Sequence, residues 1–173
     1  TEPTPYKHKK PVVFYGSSIT EGGCCCNITN AYPAMLSRWL DFESYNLGLS
    51  GNAKGELIIA DYINTIDMGA FVYDYDHNAP SVEHLANTHK PFFDRIRQAH
   101  PQLPIIMMSR PAEWYHGEIR TRRKIIKATY NAAVESGDRN VYFIDGETFY
   151  GETDRNLCSI DNCHPNDMGF YRM

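Results

Sequence analysis

Residues 11–22 read Pro-Val-Val-Phe-Tyr-Gly-Ser-Ser-Ile-Thr-Glu-Gly. The apolar, β-branched run 11–16 stops at a glycine and predicts a buried strand that leaves through a tight, serine-bearing turn. The same grammar continues downstream. Helical spacing over 31–41 (Met35, Leu36, Trp39, Leu40) is followed by a strand at 43–49 and a glycine-rich loop, then a helix at 56–66 and a strand at 69–76. A long helix at 81–100 has Ser81 as N-cap and Glu83 in its first turn, with Pro91 expected to kink or break it. A strand at 103–109, a helix at 117–137 closed by Gly137 and a strand at 140–145 complete the series. Strands alternating with helices predict an α/β fold with a five-stranded parallel sheet covered on both faces.

Residues 1–10 are polar and proline-containing and read as a leading segment, and residues 11–173 as one domain. Thr1 at the start and a helix that is only beginning at 168–173 suggest a piece cut from a longer chain, truncated at its last helix. Hydrophobic residues make up 42% and charged residues 22%, with a net charge of −4 and dispersed basic side chains. Arg120 to Lys127, the nearest approach to a basic cluster, reads as the solvated face of a helix, so a nucleic-acid partner is not expected. No apolar run reaches the roughly 18 residues of a membrane span, and no membrane partner is expected. The five cysteines (Cys24, Cys25, Cys26, Cys158, Cys163) lack the spacing of a zinc site. A disulfide from the 24–26 run to Cys158 or Cys163 is expected instead, favouring a secreted or periplasmic protein over a cytoplasmic one.

In parallel α/β sheets, ligands bind beyond the carboxyl ends of the strands. The first such end is Gly16-Ser17-Ser18-Ile19-Thr20-Glu21-Gly22, where either serine is a candidate nucleophile once a base removes its proton. No lysine follows in the pattern of a phosphate-binding loop, and the dinucleotide-binding glycine pattern is missing. The second end, Asn46 to Asn52, has glycines whose loop N–H groups can face an oxyanion. The third, Asp74 to Pro80, offers Asn78 as a neutral amide donor. His77 lacks a carboxylate partner at a fixed offset, and Asp74 and Asp76 are discounted as a metal pair. Near the C-terminus, Asp161-Asn162-Cys163-His164-Pro165 lets a carboxylate fold onto an imidazole in a tight loop stiffened by the proline. The remaining histidines, His77 included, are expected at the surface.

The order and placement of these motifs resemble the SGNH hydrolase superfamily, the GDSL-like lipases and acylhydrolases, and in the wording around 73–85 and 164–173 its carbohydrate-esterase-like branch. The resemblance implies a flavodoxin-like three-layer α/β/α sandwich and a serine esterase working through an acyl-enzyme, with no cofactor and no metal. Gly16-Ser17-Ser18 matches the family's Gly-Asp-Ser turn, which makes Ser18 the nucleophile and its own N–H one oxyanion donor. Gly51 matches the second donor and Asn78 the third, while Asp161 and His164 match the family's Asp-x-x-His pair. Ser17 replaces the usual aspartate, and the usual Gly-x-Asn-Asp has become the stretch Tyr75-Asp76-His77-Asn78-Ala79-Pro80. In that branch a β-sandwich domain can precede the catalytic one. Trp114, Tyr115 and Arg110, in the loop after the fourth strand, are expected at the substrate rim. The chain shows no long apolar lid, so the expected substrate is a short acyl ester, such as acetyl on a small molecule or carbohydrate. A thioesterase or lysophospholipase-type acylhydrolase and a non-catalytic carbohydrate-binding relative are the alternatives.

Overall fold

A computed structural model describes residues 3–173. Its five strands, β1 (His8–Gly16), β2 (Phe42–Gly48), β3 (Ala70–Asp74), β4 (Ile105–Met108) and β5 (Val141–Ile144), form one parallel sheet in the order β2-β1-β3-β4-β5. The helices are α1 (Ser18–Glu21), α2 (Tyr32–Leu40), α3 (Leu57–Ile63), α4 (Val82–Ala99), α5 (Gly117–Glu135) and α6 (Asp167–Arg172). This is the flavodoxin-like three-layer arrangement, and its topological switch point lies between β1 and β3.

Side-chain alternation along the strands divides the core into two layers. Val13 and Tyr15 of β1, Phe71 and Tyr73 of β3, and Ile105 and Met107 of β4 pack with Leu85, Phe92 and Ile96 of α4 and Ile126 of α5. Phe14, Val72 and Met108 face the other way, toward Tyr32 and Met35 of α2 and Phe170 of α6. Central β1 is buried on both faces from Val13 to Gly16, whereas edge strands β2 and β5 each have a single buried residue, Phe42 and Val141.

Several boundaries differ from expectation. The first strand begins at His8, inside the leading segment, and its register to β2 slips between His8 and Val12. Pro11, which has no N–H for a ladder bond, sits in that irregularity. Helix α4 runs unbroken through Pro91. Asn87, whose carbonyl the proline leaves unpaired, and Pro91 itself are both exposed, so solvent can take up that carbonyl. Helix α5 ends at Glu135, and a Schellman closure follows, with Gly137 N–H on Val134 and Asp138 N–H on Ala133.

Candidate active site

The first turn separates the two serines. Ser17 is fully buried and N-caps α1, its Oγ accepting from the Ile19 N–H at 3.1 Å. Ser18 begins the helix and is the one residue between Val13 and Thr20 that reaches solvent. Gly16 is required by close approach: a Cβ there would lie 2.0 Å from Thr20 Oγ1 and 2.5 Å from the Asp74 carbonyl oxygen. That contact presses the turn onto the end of β3, where the Ser17 N–H donates to the same carbonyl at 3.2 Å.

The C-terminal loop is a narrow antiparallel excursion. Ser159 and Pro165 form an isolated bridge, and the Ile160 N–H donates to the His164 carbonyl at 3.2 Å. At its tip Asn162 is left-handed (φ 61°), a conformation asparagine tolerates. Asp161 Oδ1 accepts from the backbone N–H groups of Cys163 (3.0 Å) and His164 (2.7 Å). Its Oδ2 lies 2.7 Å from His164 Nδ1, and His164 Nε2 lies 2.9 Å from Ser18 Oγ. Ser18, His164 and Asp161 thus form one continuous hydrogen-bonded line across 146 residues of sequence. Burial pushes the Asp161 carboxyl upward, but the hydrogen bonds from His164 and Cys163 outweigh it and hold the group below its ordinary value.

The loops after β2 and β3 flank this line. The Leu49 N–H donates to the Gly16 carbonyl at 2.9 Å, which ties the second loop to the serine turn. Gly51 is exposed at φ 76°, and among the described residues its N–H has no partner. Asn78 Oδ1 accepts from the Ala53 N–H at 3.4 Å, leaving its Nδ2 as the free donor.

The third loop holds residues that the sequence reading put elsewhere. His77 is not at the surface: it is partly buried, its ring centroid 6.2 Å from that of His164 and the planes at 89°. Its Nε2 is 2.7 Å from Cys163 Sγ and its Nδ1 is 2.8 Å from Arg110 Nη1. Burial, with the positive charge of Arg110 and the proximity of His164, lowers its pKa to about 4. His89 is also buried, between α4 and the sheet. Asp74, the last residue of β3, and Asp76, in the turn after it, are both buried. Burial and the neighbouring Asp76 raise Asp74 well above the carboxylate range. Burial lifts Asp76 to about 6 against the pull of Arg110 and Arg122. Arg122 does not belong to a solvated face: it is buried and donates to the carbonyls of Asp76 (2.5 Å) and Ala79 (2.9 Å), supporting the loop that carries Asn78.

The three rim candidates part company. Trp114 is 63% exposed and walls a cavity of about 210 Å³ with Glu113, Tyr115, Arg120, Glu147 and Arg155. Tyr115 is buried and its hydroxyl donates to the Arg110 carbonyl. Arg110 turns its guanidinium inward, to His77 and to the Asn162 carbonyl (3.1 Å).

All five cysteines are free thiols, so the expected disulfide does not form. Cys25 Sγ donates to the Gly22 carbonyl at 2.8 Å, Cys158 is buried near Arg172, and Cys163 faces His77. Among the described residues, Asp161, Cys163 and His164 are the grouping whose donor atoms, all within 4.8 Å, suit a metal ion. The facing atoms of Asp161 and His164 are already committed to each other. No helix among the described residues is long and apolar enough to cross a membrane.

The family described as GDSL-like Lipase/Acylhydrolase matches residues 9–173. A structure from Bacteroides ovatus ATCC 8483, described as a GDSL-like lipase, superposes with a TM-score of 0.88 at 34% identity, over 99% of this chain and 51% of that one. The salicylyl-acyltransferase SsfX3 of a tetracycline biosynthetic pathway gives 0.79 at 17% identity, over 99% and 52%. A family two carbohydrate esterase from Clostridium thermocellum, in complex with cellohexaose, gives 0.76 at 18%, over 99% and 62%. The chain therefore spans about half to three-fifths of these structures. Curated proteins give no match. The chain belongs to the GDSL-like lipase/acylhydrolase family.

Proposed function

We propose that this chain is a serine esterase that hydrolyses short acyl esters, acetyl foremost, carried on a small molecule or carbohydrate. The observation that carries the reading is the unbroken line from Ser18 Oγ through His164 to Asp161 at the carboxyl ends of the strands. With the Nδ1 proton donated to the Asp161 carboxylate, His164 presents the Nε2 lone pair to Ser18. Ser18 Oγ attacks the ester carbonyl carbon as its proton passes to Nε2. The carbonyl oxygen, now negative, is received by the N–H groups of Ser18 and Gly51 and by Asn78 Nδ2. His164 then gives the proton to the leaving alcohol, and a water molecule, deprotonated in turn by His164, hydrolyses the acyl-enzyme.

The family bond to GDSL-like lipases supports the acyl chemistry. The likeness to the family two carbohydrate esterase is one of fold, and the acetylated-sugar substrate is our inference. The Bacteroides ovatus relative is about twice as long, which suits our reading that a β-sandwich domain accompanies this one in the full protein. The test is a panel of p-nitrophenyl esters of increasing chain length, acetylated sugars and a thioester, run on wild type and Ser18→Ala. We expect acetyl esters to turn over fastest and the variant to be silent. Wild-type turnover by Ser18→Ala overturns the assignment, and preference for long acyl chains or the thioester overturns the substrate class.

A further inference from the structure

Three side chains beside His164 have no part in the ester chemistry above: Arg110, His77 and Cys163. Their hydrogen bonds fix a direction. A guanidinium carries only donors, so His77 Nδ1, 2.8 Å from Arg110 Nη1, must be the acceptor. The His77 proton therefore sits on Nε2 and points at Cys163 Sγ, 2.7 Å away. The same tautomer denies a metal ion the Nε2 lone pair while Arg110 is in place. Arg110 Nη2 meanwhile donates to the Asn162 carbonyl at 3.1 Å. One arginine, at the end of β4, thus holds two successive residues of the 161–164 loop, one directly and one through an imidazole.

Arg110 is itself held. Its backbone N–H donates to Asp76 Oδ2 at 3.3 Å, and the Tyr115 hydroxyl donates to its carbonyl. The loop it grips needs support, since Asn162 is left-handed and both His164 contacts depend on the loop's path. Cys163 Sγ lies 4.0 Å from His164 Nε2, so a shift of the thiol is felt at the general base.

We propose that Arg110 and His77 are positioning residues that, through the Asn162 carbonyl and the Cys163 thiol, set the placement of His164 against Ser18. The proposal rests on the reading of His164 as general base. Its consequence falls on the chemical step and not on substrate binding, because displacement of a catalytic group by about 1 Å can cost roughly 10²-fold in rate.

Two pairs of variants test it with p-nitrophenyl acetate. His77→Phe removes both polar atoms, whereas His77→Gln retains an acceptor for Arg110 and a donor for Cys163. Cys163→Ala removes the sulfur acceptor, whereas Cys163→Ser retains one. We expect His77→Phe and Cys163→Ala to lose roughly 10- to 100-fold in kcat with KM within about twofold, and the Gln and Ser variants to recover to within about threefold of wild type. Wild-type kcat in both Phe and Ala variants overturns the proposal, as does a rise in KM that accounts for the loss, or failure of the conservative variants to rescue. If His77→Phe does not fold by circular dichroism, the Cys163 pair decides alone. Ser18→Ala separates the two levels: a silent Ser18→Ala beside a fully active His77→Phe sinks only the positioning role, whereas an active Ser18→Ala sinks the esterase reading.

Discussion

Asp161 grips His164 twice, its Oδ2 on the ring Nδ1 and its Oδ1 on the backbone N–H, each at 2.7 Å. One carboxylate therefore sets both the tautomer of the imidazole and the turn that delivers it. Asp161→Asn keeps one carbonyl oxygen but must present an NH₂ group to one of the two donors. We expect kcat on p-nitrophenyl acetate to fall roughly 10³- to 10⁴-fold with KM little changed, as expected when a triad loses its correct tautomer. Wild-type kcat in this variant removes Asp161 from the triad. Because hydrogen bonds hold the Asp161 carboxyl below its ordinary value, the grip is present above the usual carboxylate range and is lost only as pH falls through the depressed pKa.

Asn78 has one amide atom spoken for. The Ala53 N–H occupies Oδ1, so Nδ2 is the donor left for an oxyanion. Asn78→Ala should lower kcat roughly 10²- to 10³-fold, the usual effect of losing one such donor. Asn78→Asp should do more harm, since it replaces the donor by a charge of the wrong sign. Steady-state kinetics on both variants is the check, and an Asn78→Asp enzyme faster than Asn78→Ala removes Asn78 from the oxyanion hole.

Ser17 and Ser18 are neighbours with opposite tasks. Ser17→Ala strips the cap from the Ile19 N–H in a buried turn, a loss of about 1 kcal/mol in folding stability by urea titration. Its turnover should stay within roughly tenfold of wild type, against complete loss in Ser18→Ala. Equal loss of activity in both would return Ser17 to candidacy.

The elements legible in the sequence are those with local causes. The run 11–16 is apolar because β1 lies in the middle of the sheet, and Ser81 announces its helix because the cap is three residues from the N–H it serves. The Asp161–His164 pair was legible for the same reason. What escaped depends on contacts across long separations. His77 reaches Cys163 over 86 residues, and Arg110 reaches Asn162 over 52, distances at which no spacing rule operates. The strand-end rule already pointed to residues following position 75, and His77 stands beside Asn78 there, so its position was a usable signal. The disulfide was misjudged because counting cysteines says nothing of where each thiol points. Pro91 does not break its helix, because tolerance of a proline depends on whether the freed carbonyl meets water.

His89 gives the fold a measurable response to acid. It is 2% exposed, stacks on Tyr73 with centroids 4.7 Å apart, and its Nδ1 lies 2.9 Å from Thr129 Oγ1. Burial lowers its pKa from 6.5 to about 3. Between those values the unfolded chain binds a proton that the folded chain refuses, so this contribution to stability is complete above the unfolded pKa and is lost as pH falls toward the folded one. At about 1.4 kcal/mol per pKa unit, the loss from pH 7 to pH 5 is about 2 kcal/mol. The raised carboxyls of Asp74 and Asp76 act with the opposite sign, since the folded state there binds protons more readily than the unfolded one. His77, with its pKa lowered to about 4, adds to the acid loss in the same direction as His89. The absolute slope of the wild type mixes these contributions, and the informative quantity is a difference. His89→Asn places an amide near Nδ1 but cannot titrate, and it leaves His77, Asp74 and Asp76 in place. Urea unfolding at pH 7 and pH 5 should show the wild type losing about 2 kcal/mol more than His89→Asn. Parallel losses in the two proteins would mean that His89 takes up its proton in the folded state and that burial does not govern its titration.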